Sequence, residues 1–82
     1  MPLKQRDIEE YWLVVHRCLT KMWGVANHEA SRLVTYRRAL YSDEICFRPA
    51  WELAAESMGW AGVGKPAPGE YEAVLEEIYG EL

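Results

Sequence analysis

Between residues 6 and 23 the apolar side chains Ile8, Tyr11, Trp12, Val15, Leu19 and Met22 return at three- and four-residue steps. That is the period of a helix and not the alternation of a strand. Val14 and Cys18 widen the arc on one side and Trp23 on the other, which predicts a helix covered by more than one neighbour. Leu13 falls outside the arc and, beside Arg17, is a candidate for a contact surface. Gly24 suits the residue after a helix end, where a left-handed backbone is needed, and Asn27 suits the cap of a second helix.

The second helix is expected over about His28 to Tyr41, with Ala30, Leu33, Val34, Leu40 and Tyr41 on one face. A loop this short implies an antiparallel or sharply crossed pair. Ser42 to Phe47 reads as a break. A short third helix is expected from Pro49, whose fixed φ suits a first turn, to Met58, with Gly59 closing it. Residues 59–69 hold four Gly and two Pro, too many for regular structure, and predict an ordered loop pinned by Trp60 and Val63. The fourth helix is expected over Glu70 to Tyr79, with Tyr71, Val74, Leu75, Ile78 and Tyr79 inward and Glu70, Glu72, Glu76 and Glu77 outward. The sequence therefore predicts an all-α array of about four helices: two longer ones, a short one and an acidic last one.

Size constrains this array. The chain has 82 residues, too few for two separately cored domains, so one helical domain over residues 1–82 is expected. A chain of this length buries only about 60% of the surface its unfolded form exposes. The aromatic content of 12%, with four Trp and five Tyr, suits a thin core, because each ring removes roughly 150–250 Å² from water. Two cysteines, Cys18 and Cys46, close one bridge at most, and no stretch reads as a signal peptide or approaches the roughly 18 apolar residues of a membrane span. A soluble, cytoplasmic protein is the expectation.

The net charge of −4 conceals a split. Residues 1–41 carry seven Lys or Arg against four acids, for +3, whereas residues 42–82 carry two against nine, for −7. Charge separation of this kind bears on association and not on fold.

Catalytic and cofactor chemistry find little support. Gly59-Trp60-Ala61-Gly62-Val63-Gly64-Lys65-Pro66 matches the spacing of a phosphate-binding loop. It lacks the final hydroxyl that ligates magnesium, and a helix precedes it where a strand is required. His16 and Cys18 stand two apart, which on a helix turns them about 200° from one another, and no paired spacing of zinc ligands occurs with His28 or Cys46. No nucleophile, base and orienting group assemble. No enzyme activity, cofactor or metal is expected.

Contact with another macromolecule remains. Arg37 interrupts the apolar face of helix two. Either its stem packs on the core while the guanidinium pairs with an acid such as Glu44 or one from helix three or four, or it reaches a partner's carboxylate or phosphate. Leu13, Arg17, Glu72 and Glu76 are the other candidate partner-binding residues, for a homodimer or for a small accessory or inhibitor protein. The alternative is a helix-turn-helix-like reader of nucleic acid. In it the face of helix two carrying His28, Ser31, Arg32, Thr35 and Arg38 would present Arg32, Thr35 and Arg38 to bases or phosphates. An isoelectric point of about 5.1 weighs against that reading.

Overall fold

A computed structural model of the chain describes residues 5–42, 48–59 and 65–81. Four helices carry the described residues: α1 (Gln5–Trp23), α2 (Asn27–Arg38), α3 (Ala50–Ser57) and α4 (Glu70–Glu81), with no strand among them. The four predicted helices are therefore present in the predicted order. The break at 43–47, with Glu44 and Cys46, and the residues of the Gly/Pro-rich loop from Trp60 to Gly64, including the anchors Trp60 and Val63, lie outside the described residues.

The first helix is the element the others are built on. Ile8, Trp12, Val14, Val15, Cys18 and Leu19 are all buried, with no exposure at all for Val15, Cys18 and Leu19. These side chains form two parallel stripes, one through Ile8, Trp12, Val15 and Leu19 and the other through Tyr11, Val14, Cys18 and Met22. One neighbouring helix cannot cover so wide an arc. Accordingly α1 packs against α2, α3 and α4 alike. From the other helices come Ala30, Ala50, Leu53, Ala54 and Ile78. The three alanines of this set allow close approach of backbones, while burial of each large aliphatic side chain stabilises by roughly 1.5–3 kcal/mol.

Helix ends depart from expectation by small, explicable steps. Gly24 has φ 67°, the left-handed conformation that ends α1, and the Val25 N–H turns back to the Leu19 carbonyl at 3.0 Å. This tight reversal starts α2 one residue early. Ala26, in extended conformation, is the cap and supplies no side-chain hydrogen bond, so Asn27 is the first helical residue and not the cap. At the other end α2 stops at Arg38. The next N–H groups, of Leu40 and Tyr41, bond three residues back to Arg37 and Arg38, which tightens the turn and swings Leu40 out of the apolar stripe. Leu40 is 57% exposed and does not belong to the core face predicted for it. In α4, Tyr79 likewise lies on the rim at 51% exposure, since Ile78 takes the buried position.

The α3 N-terminus solves a capping problem through tertiary contact. Pro49 precedes the helix and has no side-chain oxygen to offer. Its role is filled from α4: the Tyr71 hydroxyl accepts the Ala50 N–H at 3.0 Å. A second tie crosses from α1, where the Tyr11 hydroxyl donates to the Arg48 carbonyl at 3.0 Å. At the surface Lys21 of α1 holds both Glu77 at 2.9 Å and Glu81 at 2.8 Å, which fixes α4 along α1.

Two substitutions test this packing by urea denaturation. Leu19→Ala should lower the unfolding free energy by about 2–5 kcal/mol, as expected of a fully buried leucine. Tyr71→Phe keeps the ring but leaves the Ala50 N–H without its acceptor, and should cost about 1–2 kcal/mol. A Tyr71→Phe protein as stable as the parent would show that the cross-helix cap contributes nothing.

Candidate interaction surface

The hairpin of α1 and α2 places two helix faces side by side. Its antiparallel register follows from the short turn: Glu9 reaches Arg38, about equally far from Gly24 on the other side, at 3.4 Å, and nearer the turn His16 reaches the Asn27 carbonyl at the start of α2 at 3.3 Å. Between the helices runs an open groove of about 320 Å³ lined by Glu9, Trp12, Leu13, His16, Arg17, Ser31, Val34, Thr35 and Arg38. Its floor is apolar and comes from Trp12, Leu13 and Val34. Its polar lining comprises Arg17, Arg38, His16, the hydroxyls of Ser31 and Thr35, and one carboxylate, Glu9.

Four residues singled out from the sequence, Leu13, Arg17, Thr35 and Arg38, are thus brought together here. They had been assigned to two different readings, a protein contact and a nucleic-acid contact, and the hairpin merges them into one surface. Arg17 forms no ion pair among the described residues. Arg38 has a loose partner in Glu9, with both side chains well exposed, and such a pair holds little energy in water. His16 carries an incomplete hydrogen-bond set. With Nε2 donating to the Asn27 carbonyl, Nδ1 is a buried acceptor that has no partner among the described residues. Groove residues that the sequence reading had not assigned to a contact include Glu9, Trp12 and Val34. The antiparallel register was the signal that would have found Glu9 opposite Arg38.

The remaining candidates lie elsewhere. Arg32 stands outside the groove, gripped by Glu29 one turn earlier through two hydrogen bonds, one of them 3.0 Å long. That carboxylate holds the guanidinium pKa up and is itself held below its usual range. The Thr35 hydroxyl donates to the Ser31 carbonyl at 2.8 Å. The basic face of α2 is therefore interleaved with the acids Glu29 and Glu9, where the sequence pattern had shown it acid-free.

Arg37 turns toward α3. Its guanidinium donates to the backbone carbonyl of Glu56 at 2.9 Å, in the last turn of that helix. The expected carboxylate is replaced by a helix-end carbonyl that already accepts the Gly59 N–H at 2.9 Å, and the cation adds a second donor there and opposes the negative end of the helix dipole. Glu56 is a junction: its carboxylate also accepts the Tyr41 hydroxyl at 3.0 Å and faces Arg48 at 3.4 Å.

On α4, Glu72 and Glu76 are exposed and form no ion pair among the described residues. Glu72 also borders a second hollow of about 530 Å³, with Trp51, Lys65, Pro66, Pro68 and Tyr71.

Cys18 has no exposure, and burial pushes its thiol from an ordinary 9.0 up to about 12, so it stays protonated near neutral pH. Among the described residues no three His, Cys, Asp or Glu side chains gather as a metal set would. No protein-family model, no curated protein and no solved structure matches the chain.

Two measurements follow. Arg37→Ala should lower stability by about 1–2 kcal/mol, less than a fully buried charged hydrogen bond would cost because the side chain is only part-buried, with Arg37→Lys recovering part of it. An unchanged midpoint would remove Arg37 from the scaffold. For Cys18 the folded-state pKa is raised, so its contribution is fully present below pH 9.0 and is lost as pH rises toward about 12. Urea titrations across that window should show declining stability, with a shallower decline in Cys18→Ala. Equal slopes in the two proteins would contradict the assignment.

Proposed function

We propose that the chain is a small non-catalytic protein–protein interaction module that engages its partner through the α1–α2 groove. The observation that carries this reading is the division of labour on α1. One side of the helix is consumed by the core, while the other presents Leu13 and Arg17 beside Val34, Thr35 and Arg38 over an apolar floor. An apolar centre with arginine at its edge is the composition of an interface anchor. A fully buried thiol with a raised pKa leaves the one described cysteine unsuited to nucleophilic work.

The nucleic-acid reading draws less support from the geometry. Arg32 and Arg38 both face carboxylates, and phosphate binding would have to displace them in a chain whose net charge is −4.

The test is a pull-down with the tagged full chain from nuclease-treated lysate, run beside its own size analysis. Leu13→Asp and Arg17→Glu should each abolish association with a protein partner or with a second copy, and move the melting temperature by no more than a few degrees, as surface changes do. A monomer that retains no protein, or retention indifferent to both substitutions, would overturn the reading. Recovery that depends on nucleic acid and is lost in Arg38→Ala would replace it with the alternative.

A further inference from the structure

Resting on the interaction reading above, we propose that the groove's occupant is the outer face of α4 from a second copy of this chain, in a closed two-fold dimer. The outer face of α4 consists of Glu72, Ala73, Glu76, Tyr79 and Gly80, all exposed. Their spacing puts them on one side of a helix. This stripe is the chemical complement of the groove. Glu72 and Glu76 have no ion-pair partner among the described residues, and Arg17 on the groove has none either. Tyr79 offers a half-exposed ring and a hydroxyl to a floor made by Trp12, Leu13 and Val34.

Gly80 supports the same pairing. It stands one residue before the end of α4, and apart from its own turn no atom of the described residues lies within 4 Å of where a Cβ would stand. Together with Ala73 it lets another backbone approach closely.

Placement favours reciprocity. Lys21 anchors the last turn of α4 to α1, and the Arg17 charge reaches Glu81 and helps hold its carboxyl low, after Lys21 itself. Groove and α4 therefore both border α1. Two complementary patches on one chain can pair reciprocally, groove to stripe and stripe to groove, which a two-fold axis closes without leaving an open end for a filament. A stable interface needs roughly 800 Å² per partner, a modest part of the 5319 Å² the chain exposes.

The test is sedimentation of the full chain from about 1 to 300 µM at about 50 mM salt, and again at about 500 mM, where the Debye length falls below roughly 5 Å. A monomer–dimer equilibrium weakened by salt is expected. Arg17→Glu and Glu76→Arg, each checked for unchanged helical circular dichroism, should weaken dimerisation about tenfold or more. An equimolar mixture of the two variants should restore it, because one groove–stripe contact is then native and the other is reversed in both partners. Dimers indifferent to both substitutions, or weakened by both without recovery on mixing, overturn the proposal. So does a monomer at every concentration. If that monomer still captures another protein in an Arg17-dependent way, only the second-copy assignment fails, and if it captures none the interaction reading fails with it.

Discussion

Burial of the two-stripe face of α1 is the constraint from which the rest of the structure follows. A helix with Val15, Cys18 and Leu19 at zero exposure needs cover on an arc wider than one neighbour supplies. Three short elements provide it, and none of them is strongly amphipathic enough to stand alone. In α2 only Ala30 is buried, and in α4 only Ile78. Isolated helices of this length are marginal in water, so α2, α3 and α4 owe their persistence to α1 more than to their own propensities.

Polar ties then hold the short helices in place where apolar contact is thin. The Tyr71 hydroxyl completes the start of α3, Arg37 adds a donor at its end, and Tyr11 reaches the segment just before it. The first two bonds link different helices and the third ties α1 to the chain entering α3, so the acceptor that Pro49 fails to provide comes from across the fold. A short helix capped by its neighbours is coupled to them, and its loss would be felt in the whole array. The contact surfaces we propose, the hairpin groove beside the outer strip of α1 and the outer stripe of α4, are among the faces this arrangement leaves exposed.

Much of the fold was legible in the apolar periodicity, and the misses have physical reasons. The width of the α1 arc announced several neighbours, and Gly24 and Gly59 marked helix ends that both adopt positive φ. Helix ends were read less well, since the cap of α2 is the uninformative Ala26 and the exit of Leu40 from the apolar stripe depends on a tightened last turn. Side-chain partners across the fold were not readable at all. Arg37 was expected on a carboxylate, and no periodicity announces a backbone carbonyl at the end of α3. The groove was half visible: Leu13, Arg17, Thr35 and Arg38 were each noticed, but only the antiparallel register of the hairpin assembles them into one surface.

If α1 is the centre of the fold, its unfolding is the unfolding of the protein. Native-state amide hydrogen exchange followed by NMR measures that directly. The amides from Val14 to Leu19 should be the slowest in the chain and should exchange only through global opening, with free energies that match denaturant unfolding, while much of α2 and α4 exchanges through smaller openings. Exchange of the α1 amides by local opening, with α3 still protected, would contradict the account and move the organising centre of the fold elsewhere.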